Sequence, residues 1–386
     1  MWLSNLQIVL PDQVISNGAV KVENGIISEI SDRVCENTSL DGQGNILMPG
    51  FIDMHGDMIE REVEPRPQVR MPMELGLRDL DRKLATSGIT TAYAALSFSP
   101  NSTYGHLRSY EHTSSVIRAL KAMQNDLLVD HKVHTRMEIT FPAALAVIEA
   151  LIKENNVDLV SLTDHTPGQG QYRDIERMIS RMQDEKGISY EEAADTIAHR
   201  IKDRTLPASE MTATLNAISK LCKEHQVALA SHDDDTVEKV ELMHALGADI
   251  SEFPVTLEAA RKAREKGLAN AMGAPNALRG ESYSGNLSAR EAHRQGLLDI
   301  LAADYHPSAM APAILELAKV DKNGLAGAAK LSSTNAAKAL GLDDRGSIES
   351  GKLADFVIVN PQGLGRPVMT IRQGRVIYSD GSLQLS

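Results

Sequence analysis

Ile46-Leu47-Met48-Pro49-Gly50-Phe51-Ile52-Asp53-Met54-His55-Gly56-Asp57 is the stretch whose reading decides the fold. An uncharged apolar run ends in a histidine and a carboxylate two residues apart. On a strand, side chains at i and i+2 project to the same side, so His55 and Asp57 can grip one divalent ion. Three further runs have the same form: Leu159–His165, Ala228–Asp233 and Ile300–Asp304. Four apolar strands ending in ligand-type residues imply a shared rim. Parallel α/β barrels build their active sites at such a rim.

Working outward, strands are expected near 46–55, 88–98, 132–140, 157–165, 227–233, 248–254, 268–273 and 298–304. Helical patterns fill most of the gaps, at 73–87, 109–123, 142–153, 209–224, 236–246, 256–266 and 288–295. Eight strands with intervening helices fit a closed (β/α)8 TIM barrel better than an open sheet. The chain from His165 to the strand at 227 is too long for a simple connection, and its charged, helical pattern marks an insertion near 170–208. Both ends are β-rich, with Asn24-Gly25 as a hairpin signal. The expected organisation is a small β-sandwich from residues 1–45 and 345–386, and a hydrolase barrel from 46–344.

The remaining bulk properties exclude several classes. The 386 residues carry a formal net charge of −12, which opposes non-specific nucleic-acid binding. No long apolar segment predicts a membrane span. The N-terminal stretch lacks the basic region of a signal peptide. Two cysteines, Cys35 and Cys222, form no disulfide framework, and a reducing cytoplasm is the expected setting. A small-molecule partner and a homo-oligomer are both compatible with this composition.

Among twelve histidines, His106, His112, His131, His199, His225, His244 and His293 lie among charged residues and are expected at the surface. His134 sits near a strand start and is ambiguous. His55, His165 and His232 each follow an apolar strand, so metal ligation is the better reading. Glu138 lies inside an apolar strand, where a carboxylate needs a partner. That partner is either a buried arginine or a pair of metals that Glu138 bridges. Asp304 closes the last strand, as a helix cap or as a ligand and general base. Asp164, Asp233, Asp234 and Asp235 adjoin the candidate ligands and could orient imidazoles. The expected metal set is His55, Asp57, Glu138, His165, His232 and Asp304, holding two divalent ions (zinc, manganese, iron or magnesium).

Pro49-Gly50-Phe51-Ile52-Asp53-Met54-His55 resembles the first-strand signature of the amidohydrolase superfamily. Gly346-Ser347-Ile348-Glu349-Ser350-Gly351-Lys352-Leu353-Ala354-Asp355 resembles its C-terminal return. Members are metal-dependent hydrolases on a (β/α)8 barrel with a composite β-sandwich. Most carry a second histidine where this chain has Asp57. Several motifs are similar to the branch that serves phosphonate metabolism in the carbon–phosphorus lyase pathway. They are Ser161-Leu162-Thr163-Asp164-His165-Thr166-Pro167-Gly168-Gln169, Glu252-Phe253-Pro254-Val255-Thr256, Met272-Gly273-Ala274-Pro275-Asn276, and the shorter Glu64-Pro65-Arg66-Pro67, Arg279-Gly280 and Ser284-Gly285-Asn286. That resemblance implies a cytoplasmic diphosphatase whose substrate is a phosphorylated ribose phosphonate and whose product is pyrophosphate. It also implies Arg66, Gln169, Arg279, Ser284 and Asn286 as substrate contacts, since guanidinium forks and turn N–H groups suit phosphate. The alternative is an amidase or deaminase of the same superfamily, acting on a small cyclic amide or nucleobase.

Overall fold

A computed structural model describes residues 1–66, 68–100, 105–282 and 285–384. The single strand expected at 46–55 is two strands, Ile46–Pro49 and Phe51–Gly56, which belong to different sheets. Gly50 is the joint. A Cβ there would fall 2.4 Å from the Thr90 side chain, so only glycine lets the chain pass between the sheets.

In chain order the strands are β1 (Trp2–Val9), β2 (Val14–Glu23), β3 (Ile26–Ser31), β4 (Leu40–Asp41), β5 (Ile46–Pro49), β6 (Phe51–Gly56), β7 (Ile89–Phe98), β8 (Asp130–Glu138), β9 (Leu159–Thr163), β10 (Ala228–His232), β11 (Ile250–Glu252), β12 (Ala269–Gly273), β13 (Ile300–Ala302), β14 (Phe356–Asn360), β15 (Arg366–Arg372) and β16 (Arg375–Ser379). The first sheet has the order β16-β15-β14-β5-β1-β2-β3, with β4 beside β1. It joins both ends of the chain over a core that includes Leu6, Ile8, Leu47, Phe356 and Ile371. Asn24 and Gly25 turn its β2–β3 hairpin with φ of 53° and 79°, the left-handed geometry that this dipeptide favours.

The second sheet runs β6 to β13 in sequence order, every pair parallel. Strands buried on both faces read as near-continuous apolar runs, which is why these segments stood out. Small and branched side chains fill the interior, among them Ile52, Leu159, Ala230, Ile250, Ala271 and Ile300. The outer faces pack on helices such as Met73–Thr86, Tyr110–Met123 and Met310–Ala318.

The last seam closes in two ways. At the rim, the Asp57 N–H donates to the Asp304 carbonyl at 2.9 Å, and the Asp304 N–H donates to the His55 carbonyl at 2.9 Å. Lower down, residues 331–332 fill the seam, with Leu301 N–H donating to Leu331 and Ile52 N–H to Ser332. The expected insertion is a helical hairpin, Ile175–Lys186 and Tyr190–Arg204, with its own small cluster of Ile179, Met182, Ala193 and Ile197. A capping box at Ser189 and Glu192 starts its second helix. No helix among the described residues is long and apolar enough to cross a membrane.

One histidine departs from expectation. His131 is buried, because on β8 it faces the helix Met73–Thr86, where Asp81 sits 3.0 Å from its Nε2.

Candidate active site

The C-terminal ends of the barrel strands bring the predicted histidines together. Strand alternation alone does not do this on β6. Its ladder to β7 slips between Asp53 and Gly56, and this irregularity lets Met54 pack into the interior while His55 also turns inward. Asp53 braces the distortion: its Oδ1 accepts from the His55 N–H at 3.1 Å and the Ala303 N–H at 2.8 Å.

Two groups of donors form. The first is His55, His134 and Glu252, all buried. His55 Nδ1 lies 3.3 Å from Glu252 Oε1, and His134 Nε2 lies 3.6 Å from Glu252 Oε2. The second is His165, His232 and Asp233. His232 Nδ1 lies 3.1 Å and His165 Nε2 4.0 Å from Asp233 Oδ2. Within each group the donor atoms lie within 4.8 Å of one another, close enough to share one ion.

The other predicted ligands have separate places. Asp57 and Asp304 line the same cavity as His55 and His232. Asp57 Oδ2 is 3.5 Å from Arg136 Nη1. Glu138 has the buried-arginine partner that its sequence position suggested as one alternative. It belongs to neither donor group, and in place of the bridged metals of the other alternative its second partner is His165. Its Oε2 is 2.6 Å from His165 Nδ1, its Oε1 accepts from the His165 N–H at 3.0 Å, and Arg204 Nη1 stands 3.4 Å from Oε1. Of the predicted substrate contacts, Arg279 and Asn286 line the cavity. Arg66 lies on an exposed turn and Gln169 beside the short helix Gly170–Tyr172, neither on the cavity wall; Ser284 lies outside the described residues.

Glu252, Asp233, His134 and Arg136 complete the site beyond the predicted set. Lys239 donates to the carbonyls of His232 and Asp233 and fixes that turn. Asp234 accepts from Ser231 and Ser251, tying β10 to β11.

The electrostatics suit cation binding. Burial, reinforced by the Arg136 charge, pushes His55 well below the ordinary imidazole range, and burial takes His134 down to about 3. Both are therefore neutral, the form that ligates metal. Burial alone would raise Asp233, but His232, with His165 and Lys239 behind it, holds it down to about 2. Burial, followed by the Asp57 charge, lifts Asp304 to about 7, where a carboxylate can accept and release a proton near neutrality. Burial also works to raise Glu138, but the hydrogen bond and charge of His165 and the charge of Arg204 outweigh it and lower that carboxyl.

The donor set passes a test of fit for a metal. His232 Nδ1 and Asp233 Oδ2, 3.1 Å apart, and Glu252 Oε2 are buried and make no well-formed hydrogen bond among the described residues. Such groups are costly to bury unless something pairs with them. All three belong to the two donor groups, and imidazole with carboxylate is a ligand set for zinc, manganese or iron.

Residues 46–377 match the amidohydrolase family. The chain belongs to the amidohydrolase family. Within it, this amidohydrolase is 36% identical over 371 residues to the alpha-D-ribose 1-methylphosphonate 5-triphosphate diphosphatase of Escherichia coli (strain K12), covering 93% of this chain and 95% of that one. Solved structures share the fold at low identity. Dihydropyrimidinase from Brevibacillus agri aligns at a TM-score of 0.60 and 12% identity, covering 100% of this amidohydrolase and 95% of that chain. N-acetylglucosamine-6-phosphate deacetylase from Pasteurella multocida aligns at 0.63 and 13%, covering 97% and 98%.

Proposed function

We propose that this amidohydrolase cleaves the 5-triphosphate of a ribose 1-methylphosphonate, giving the 5-phosphate and pyrophosphate. The observation that carries this reading is the near full-length similarity to the diphosphatase. The cationic groups in the cavity support it, since Arg136 and Arg279 face the same space as His55, Asp57, His232 and Asp304.

In this reading the two donor groups, His55 with His134 and Glu252 and His165 with His232 and Asp233, would hold two divalent ions together with Asp57 and Asp304 of the same cavity wall, and Glu138 would orient His165 through its Nδ1. Bound there, such ions supply Lewis acidity and offset phosphoryl charge. Asp304 would take the proton of the attacking water, a role for which its carboxylate is placed on the cavity wall beside Asp57. The water oxygen bonds to the α-phosphorus, and the bond from that phosphorus to the α–β bridging oxygen breaks. The electron pair leaves with pyrophosphate, a better leaving group than the ribose 5-alkoxide. Arg279, 3.4 Å from Glu281, lines the same cavity and would meet the distal phosphates.

The test is turnover of the ribose methylphosphonate triphosphate in ¹⁸O-labelled water. Label in the ribosyl 5-phosphate with unlabelled pyrophosphate is the expected result. Label in pyrophosphate, orthophosphate as the product, or hydrolysis of cyclic amides with no action on the triphosphate would refute the proposal.

A further inference from the structure

Arg136 occupies an unusual place for a guanidinium. It lies on β8 between His134 and Glu138, two-residue steps that put all three on the inner face of the barrel. It is 7% exposed. Its Nη2 is 3.4 Å from His232 Nε2, its Nη1 is 3.5 Å from Asp57 Oδ2, and its Nε has no hydrogen-bond partner. It forms part of the wall of a cavity of about 260 Å³, together with Asn276, Arg279, Asn286 and Tyr305.

Three features of this arrangement need an explanation. A guanidinium keeps its proton at every working pH, so its charge is permanent. Its two contacts are longer than the roughly 2.7–2.9 Å of a well-formed charge-assisted hydrogen bond. Both contacts also go to groups that the proposed function assigns to metal ions, whose lone pairs would then be engaged. A fixed positive charge beside a site for divalent cations weakens metal binding by repulsion. A neutral amide substrate gives no compensation for that arrangement, whereas a polyanion does. The planar fork of arginine matches two oxygens of one phosphoryl group, and Arg136 stands in the cavity wall with both Nη contacts long enough to be exchanged for such oxygens.

We propose that Arg136 is a phosphoryl-binding residue, which grips the phosphate chain next to the metal ligands and selects phosphoanhydrides over neutral substrates. This assignment rests on the proposed function for the identity of the substrate, but not for the class of group bound, an oxyanion of phosphorus.

The test is calorimetric binding of inorganic pyrophosphate to manganese-loaded enzyme, with metal content measured on the same samples. Arg136→Met should weaken pyrophosphate binding on the order of 10- to 100-fold, and Arg136→Lys should recover part of it by restoring charge without the fork. Metal content should match the unsubstituted protein in both. Arg136→Gln, which keeps a polar planar end, covers the case in which the methionine variant fails to fold. Pyrophosphate affinity within twofold of the unsubstituted protein in the Met or Gln variant would overturn the assignment. So would loss of metal in parallel with loss of affinity, which would make Arg136 a support for Asp57. Failure of the unsubstituted enzyme to cleave the triphosphate, with pyrophosphate binding still dependent on Arg136, would overturn the proposed function and leave this assignment standing.

Discussion

Arg204→Met is expected to destabilise the barrel from outside it. Arg204 is the last residue of the helical hairpin at 175–204, yet it is 6% exposed and reaches Glu138 of β8 at 3.4 Å. Its guanidinium also stands 5.2 Å from the centre of the Phe141 ring. Removing one partner of a buried ion pair costs roughly 3–5 kcal/mol, because the other charge stays buried. Here Glu138 would keep His165 Nδ1 at 2.6 Å, the His165 N–H at 3.0 Å and Thr140 Oγ1 at 3.3 Å, so the loss falls below that range. We expect about 2–3 kcal/mol, of which the contact with Phe141 contributes about 0.5. At about 2 °C per kcal/mol for a long chain, Tm should fall by about 4–6 °C. The assay is thermal unfolding in chelator, so that metal binding does not enter. Glu138→Gln should remove most of the penalty, and the double variant should show a coupling of about 1 kcal/mol or more. A fall in Tm of under about 1 °C, or additivity within about 0.5 kcal/mol, would show that the pair does not join hairpin to barrel.

Other outcomes follow from the same geometry. Asp304→Asn should lower kcat by about 10²–10⁴ if Asp304 is the general base, while elemental analysis finds less metal loss than in His55→Ala. Glu252→Gln should weaken metal affinity about 10- to 100-fold, because both of its oxygens face histidines of the site; unchanged affinity in a chelator competition would remove Glu252 from the centre. Metal-free protein should lose stability as pH rises above about 6.5; below that, His55 and His134, held under the imidazole range, act in the opposite sense. Burial lifts Asp53 and Asp304 to about 7 from the ordinary 3.8, so their contribution is greatest below about pH 4 and is lost as pH climbs through 7. Melting in chelator between about pH 6.5 and 8 checks this, and Asp53→Asn should make the fall shallower.

The barrel was legible because its strands are buried on both faces and so read as continuous apolar runs. The ends of those runs named His55, His165 and His232, which the fold brings together. The parts that were not legible fail for identifiable reasons. Residues 46–56 look like one strand because the run is apolar on both sides of Pro49-Gly50, although that breaker dipeptide marks the change of sheet that the crowding of Gly50 against Thr90 explains. Arg136 and His134 could have been found by applying strand alternation backwards from Glu138, since positions two and four residues earlier share its face. Ile250-Ser251-Glu252 has the same apolar-then-ligand form as the other strands, and Glu252 pairs in register with His232, but a three-residue strand is a weak signal. Arg204 had no signal: its partner is 66 positions away, and it closes a helix that otherwise reads as solvated.

The joint at Gly50 also sets an order of events during synthesis. β5 is held by β14, with Phe356 opposite Pro49 and Val359 opposite Ile46, and the Gly50 N–H donates to Asp355. The two strands are roughly 300 residues apart in the chain, so at about 5–20 residues per second the first waits on the order of 15–60 s for the second to be made. Until then β5 presents a bare edge, an invitation to pair with another nascent chain. The strand that carries His55 leads directly out of that edge. A chaperone that shields the edge should therefore raise the yield of metal-competent protein more than it changes the stability of the finished fold.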